Sequence, residues 1–106
     1  LITCDEHPAQ LIRNAMTLGF DLQKLIDEKK LFILYDSPLE LEMDVHFERI
    51  LKLVEEHKIE RVVVDSIAAY ESANAREAHQ FIYALATFFK NRLITAFFNY
   101  ESPELL

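Results

Sequence analysis

Arg61-Val62-Val63-Val64-Asp65-Ser66 is the stretch that decides the fold. Three consecutive β-branched apolar residues stop abruptly at an acid and a hydroxyl. Such a run reads as a strand buried inside a sheet, and its end delivers a carboxylate to the sheet's rim. In α/β proteins that handle phosphates, an acid at that point holds Mg²⁺ through water, because Mg²⁺ keeps most of its hydration shell.

Working outward, similar apolar runs recur on both sides. Residues 1–4 (Leu-Ile-Thr-Cys) and 31–35 (Leu-Phe-Ile-Leu-Tyr) read as strands, the second ended by Asp36-Ser37-Pro38. Residues 93–98 read as a fourth strand, with Ser102-Pro103 signalling its exit. Between them the period changes from two to that of a helix. Pro8 suits a helix's first turn, Leu11, Ile12, Ala15 and Met16 form its apolar face, and Gly19 stands where a left-handed cap is expected. Asp21 caps a short helix with Leu22, Leu25 and Ile26 on one side. Met43, Phe47, Ile50, Leu51 and Val54 recur at helical spacing to about His57. Asn74 and Glu77 form a capping pair for a helix whose face is Ala78, Phe81, Ile82, Leu85, Phe88 and Phe89.

Alternation of strand and helix specifies a parallel α/β sheet of about four strands with helices on both faces. The expected strand order is 2-1-3-4. Ligands of such sheets sit beyond the carboxyl ends of the strands, where the order reverses. Asp5 and Glu6 follow the first strand and Asp65 ends the third, so three carboxylates are expected to share one crevice.

Composition narrows the function. The 106 residues are one domain, or part of one. Eleven basic residues against eighteen acidic ones give a net charge of −7, which argues against non-specific nucleic-acid binding. Nothing approaches the roughly twenty apolar residues of a membrane span. A single cysteine, Cys4, provides no disulfide framework, and a cytoplasmic location is expected. The chain opens directly on a strand without an initiating Met, which suggests a piece of a longer protein.

Each candidate site has an ordinary structural reading beside the functional one. Asp5 and Glu6 could activate a water or hold a metal, or simply complement a helix dipole. Asp65 with Ser66 could hold Mg²⁺ through water, or cap the following turn. His7, His46, His57 and His79 show no metal-ligand spacing, and Cys4 reads as a buried structural thiol. Phe81, Phe88, Phe89, Phe97 and Phe98 recur at the spacing of a packed face, so they read as core or as a subunit contact rather than as base-stacking platforms. Glu55-Glu56 and Lys29-Lys30 read as solvated helix-end charges.

With the acids placed, the chain resembles the KaiC family of RecA-type ATPases over nearly its whole length. Asp5-Glu6-His7-Pro8 and the helix to Ala15 look like the family's paired glutamates, proline and helix. Leu18-Gly19-Phe20-Asp21-Leu22 is similar to its leucine-glycine-aromatic-aspartate joint. Leu31 to Pro38 matches the strand that follows, Val62-Val63-Val64-Asp65-Ser66 its Walker B strand, and Ile94-Thr95-Ala96-Phe97-Phe98 its sensor strand.

The resemblance implies that residues 1–106 are a single partial RecA-like domain. It implies that Asp5 and Glu6 stand where catalytic glutamates activate water, with Asp at the first position one methylene shorter. Asp65 would hold Mg²⁺ with Ser66 beside it, and Asn99 would be a polar sensor facing the phosphates. The intact parent would use ATP and Mg²⁺ and assemble as a hexameric ring with ATP between subunits. The family's phosphate loop, G-x-x-x-x-G-K-[S/T], is not in this chain. Gly19 is its one glycine, and no Lys precedes a Ser or Thr. That loop's backbone N–H groups and Lys provide most of the phosphate grip. The expectation is therefore that this chain alone neither binds ATP tightly nor hydrolyses it, and that it self-associates through its apolar fourth strand or Phe-rich face.

Two other readings remain. In a receiver-like signalling domain Asp65 would be the phosphoacceptor, but the interval from Asp5 is about fifteen residues too long for a compact unit of that kind. A degenerate core could act only in oligomerisation.

Overall fold

The structure, a computed structural model, describes residues 1–100. The exit signal Ser102-Pro103 lies outside the described residues. Nine elements follow in order: β1 (Ile2–Thr3), α1 (Pro8–Thr17), α2 (Leu22–Asp27), β2 (Leu34–Tyr35), α3 (Met43–His57), β3 (Arg61–Asp65), α4 (Ala68–Ala73), α5 (Ala75–Asn91) and β4 (Thr95–Asn99). The strands make one parallel sheet of order β2-β1-β3-β4.

Register explains where the core lies. Ile2 pairs with Leu34 on one side and Val64 on the other, and Val64 pairs with Phe98. Side chains in one register row point to one face of a sheet. Ile2, Leu34, Val62 and Val64 are buried in the cluster that also holds Ile50 and Val54 of α3, Ala69 and Tyr70 of α4, and Phe81, Leu85 and Phe89 of α5. On the opposite face Val63 and its partner Phe97 are 41% and 69% exposed.

The edges of the elements differ from the periodicity. The first two strands are shorter than 1–4 and 31–35, because the ladder needs facing partners and β1 and β2 meet only at Ile2–Leu34 and Thr3–Tyr35. The fourth begins at Thr95 rather than residue 93, because Leu93 still belongs to the helix end. Leu93 adopts φ +58°, with its N–H donating to Lys90 O at 3.1 Å and Ile94 N–H to Phe89 O at 2.9 Å. That is the double bond pattern of a Schellman cap. The same pattern closes α1, where Gly19 (φ +91°) donates to Met16 O at 3.0 Å and Phe20 to Ala15 O at 2.9 Å. Lys29, at φ +60°, closes α2 in the same way. With a single glycine available, two of these caps fall on residues whose Cβ resists the left-handed conformation.

Three of the five described helices start at a side chain that caps them. Asp21 accepts from Lys24 N–H at 3.1 Å, and Asn74 accepts from both Arg76 and Glu77 N–H at 3.1 Å. Asn74 also donates to Glu77 Oε1, completing the reciprocal pair. At α1 the cap is His7, whose Nδ1 accepts from Ala9 N–H at 3.1 Å, so this histidine is spent on helix geometry. Helix α1 has no fully buried residue; Leu11, Ile12 and Ala15 are half-buried.

Candidate active site at the carboxyl rim of the sheet

Thr3, Asp65 and Asn99 occupy one register row, at the carboxyl ends of β1, β3 and β4. Asp5 and Glu6 continue beyond Thr3, so the acids of both stretches stand on the same rim. The turn that carries them is pinned by Thr3. Its hydroxyl donates to Glu6 O at 3.1 Å and accepts from Glu6 N–H at 3.3 Å. The Glu6 carboxylate accepts from Asn14 Nδ2 at 2.9 Å, which orients it toward α1. Asp5 is exposed, and no hydrogen bond or ion pair holds its carboxylate among the described residues.

Asp65 is half-buried and is held from β4. Asn99 Nδ2 donates to Asp65 Oδ1 at 2.8 Å. The backbone after Asp65 is locked to the same strand, because Ile67 N–H donates to Asn99 O at 2.9 Å. Ser66 is buried, its peptide bond to Asp65 is cis, and its hydroxyl accepts from Ala68 N–H at 3.1 Å. The hydroxyl thus starts α4 rather than facing outward, although the residue stands beside Asp65. Asp65 and Asn99 also head an open cavity of about 350 Å³ floored by Val63, Phe97 and Phe98.

Asp5, Glu6 and Asp65 share this rim without forming a metal cage. Among the described residues no three His, Cys, Asp or Glu side chains are grouped so as to hold an ion. The donors are hard oxygens, and Asn99 engages one oxygen of Asp65, leaving the second as an acceptor. Such a set fits a hydrated Mg²⁺ held through its water shell better than a dehydrated ion, which would need several protein ligands at once.

Beneath the rim lies a buried polar chain that periodicity did not reveal. His46 on α3 is 1% exposed. Its Nδ1 lies 2.6 Å from Asp36 Oδ2 and its Nε2 lies 2.9 Å from the Tyr70 hydroxyl. Arg49 donates to the other oxygen of Asp36. The Cys4 thiol is in hydrogen-bonding reach of Tyr70. Burial holds the His46 imidazole below its ordinary pKa, against the pull of Asp36. Burial also pushes the Cys4 thiol up to about 11 and the Tyr70 phenol well above its usual range. All three are therefore neutral near pH 7. A neutral His46 facing an ionised carboxylate must carry its proton on Nδ1, so Nε2 accepts from Tyr70. The sequence signal was a histidine on the apolar stripe of α3, between Met43 and Ile50. The partners Asp36 and Tyr70 lie in separate elements. His57 has a different role, stacking on Phe32 with ring centroids 4.1 Å apart.

The fold and rim define a class: a parallel α/β sheet with its acids gathered at the carboxyl ends of the strands, as in RecA-like ATPase cores. A family model described as "ATPase: KaiC" matches residues 1–104. The chain is 46% identical over 76 residues to the circadian clock oscillator protein KaiC of Prochlorococcus marinus subsp. pastoris, covering 64% of this chain and 15% of that protein. It is 32% identical over 103 residues to the circadian clock protein KaiC3 of Synechocystis sp., covering 96% of this chain and 20% of the relative. It is 33% identical over 115 residues to circadian clock oscillator protein KaiC 1 of Synechocystis sp., covering 97% of this chain and 22% of the relative. The chain belongs to the KaiC ATPase family, and it spans between 15 and 22% of the length of these relatives. These matches do not favour the receiver-like alternative. No described helix is long and apolar enough to cross a membrane.

Proposed function

We propose that this chain is the part of a KaiC-type ATPase domain that carries the water-activating acids and the Mg²⁺-holding strand. Residues 1–106 form one partial RecA-like domain in this reading. The observation that carries it is the single register row Thr3–Asp65–Asn99, with Asp5 and Glu6 just beyond it. Glu6, oriented by Asn14, is the group best placed to align or deprotonate a water; Asp5 stands beside it on a shorter side chain. Asp65 holds hydrated Mg²⁺ through its free oxygen, while Asn99 fixes the carboxylate and presents an amide toward a phosphate. Ser66 contributes by fixing the backbone after Asp65.

Bound Mg²⁺·ATP would supply the electrophilic phosphoryl group and the charge that the acidic rim lacks. The intact parent hydrolyses ATP, works in the cytoplasm, and assembles as a ring with nucleotide between subunits. The chain by itself lacks a phosphate loop, and one glycine cannot supply the run of exposed backbone N–H groups that the loop requires. It therefore neither grips nor hydrolyses ATP, and no direct contact with nucleic acid is expected from its charge.

Calorimetric titration of the 106-residue chain with Mg²⁺·ATP tests the division of labour. Absence of micromolar binding is expected, and micromolar affinity would overturn it. In the parent protein, Asp65→Asn should abolish hydrolysis and weaken Mg²⁺ dependence, whereas full activity in that variant would remove Asp65 from the site.

A further inference from the structure

Residues of α3 and α5 line an open groove of about 600 Å³. Its floor is apolar. Phe47 and Phe81 meet edge to face with centroids 5.9 Å apart, and Ala84 continues the floor along α5. Its rims carry Asp44 and Glu48 on α3 and Glu77 and Gln80 on α5, and among the described residues no Lys, Arg or His lines it. Asp44 and Glu77 lie in first helical turns, where acids complement the dipole, and Glu77 also serves the Asn74 cap. Glu48 has neither explanation. It stands one turn beyond Asp44, a like-charge spacing that disfavours the helix.

Three cations near this surface are committed elsewhere, while Arg76, next to Glu77 on α5, makes no ion pair among the described residues. Arg49 pairs with Asp36, Lys52 with Glu56, and Arg92 with Glu55. Among the described residues no ion pair reaches Asp44 or Glu48. The carboxylates are also too dispersed to cage a metal ion. An apolar floor flanked by Asp44 and Glu48 on one side and Glu77 on the other complements a helix with an apolar stripe flanked by Lys or Arg on both sides.

We propose that the α3–α5 groove docks a basic amphipathic helix of a partner protein. One large apolar side chain rests on the floor made by Phe47, Phe81 and Ala84, and flanking cations meet Asp44 and Glu48 on one side and Glu77 on the other. The surface is separate from the acidic rim of the sheet, so this docking does not depend on the ATPase reading.

The test is fluorescence anisotropy of this chain with a labelled Leu/Lys amphipathic helical peptide, and with its Leu/Glu counterpart as control. The basic peptide should bind, more weakly as NaCl rises, and the acidic one should not. The double variant Asp44→Asn/Glu48→Gln should weaken binding about tenfold, the loss expected when two charge-assisted contacts go. Glu40→Gln/Glu60→Gln removes the same net charge from exposed positions outside the groove and should change affinity less than about twofold, since screening limits distant charges. Ala84→Arg, at an exposed helical position, should block binding while leaving the circular dichroism spectrum intact. Equal losses from both carboxylate pairs would reduce the effect to diffuse charge attraction and overturn the proposal. So would equal binding of the two peptides, or sedimentation showing that Asp44→Asn/Glu48→Gln disrupts a dimer in a chain that binds no peptide.

Discussion

The Tyr70 hydroxyl donates to Nε2 of His46 across 2.9 Å, and that contact sets the direction of the buried chain from Cys4 to Asp36. Because Nδ1 must donate to Asp36, Nε2 can only accept, and the phenol's single proton is committed to it. The chain ties the end of β1 to α4 and α3, directly below the turn that carries Asp5 and Glu6.

Removing the hydroxyl should therefore be costly. Tyr70→Phe leaves Nε2 of a fully buried imidazole without a donor and takes away the thiol's partner. Destabilisation of about 1–3 kcal/mol is expected, the cost of orphaning a buried polar group. Urea unfolding measures it, and a loss below about 0.5 kcal/mol would mean that the hydroxyl contributes no more than a surface group.

Stability should fall on mild acidification. The His46 pKa in the folded chain lies below its ordinary 6.5, so folding disfavours the charged form. The stabilising contribution is complete above about 6.5 and is lost as pH falls through that value toward the folded pKa. Burial is the largest cause; Asp36 faces the ring and opposes the shift, and Arg49 supports it. A urea midpoint unchanged between pH 7.5 and the onset of general carboxylate protonation would contradict this. So would an NMR titration of His46 centred above its ordinary value.

Leu93→Gly should stabilise the chain. Leu93 is 92% exposed and holds φ +58°, so glycine loses no packing and relieves a Cβ clash. The relief is about 1–2 kcal/mol, offset in part by the greater freedom of glycine in the unfolded chain, for a net gain of about 0.5 kcal/mol. Thermal unfolding would show the rise; an unchanged or lowered midpoint would contradict it.

Phe97→Glu should weaken self-association. Phe97 and its neighbour Val63 present an apolar patch on the uncovered face of the β3–β4 pair, and β4 is an edge of the described sheet. Both features favour pairing with a second copy. Sedimentation velocity should show concentration-dependent association of the chain and a shift toward monomer in the variant. A clean monomer at high concentration would remove the basis for self-association.

The long elements were legible because burial imposes a period on them. Helices α3 and α5 bury Met43, Ile50 and Val54, and Ala78, Phe81, Leu85 and Phe89, at the spacing their stripes imply. Helix α4 was not legible. It is as short as α2 but lacks a capping side chain at its N-cap, Ile67, such as Asp21 gives α2, and it is held by the Ser66 hydroxyl and by burial of Ala69 and Tyr70. The Phe-rich set divided in the same way. Phe81 and Phe89 entered the core, while Phe97, on the other side of its strand, remained exposed. The ionic surroundings of Glu55 and Glu56, read as solvated ends, include Arg92 at 2.7 Å and Lys52 at 4.0 Å.

By itself, then, the order of residues determined the alternation of strands and helices, the parallel sheet, and the position of Asp5, Glu6 and Asp65 at strand ends. These are consequences of local period and chain direction. Tertiary structure alone decided that His46 meets Asp36 and Tyr70, ten and twenty-four residues away, that Asn99 holds Asp65, and that α3 and α5 together line an acidic groove. Such contacts depend on how separate elements pack in space, and no periodicity within one element encodes which side chain will face it from another.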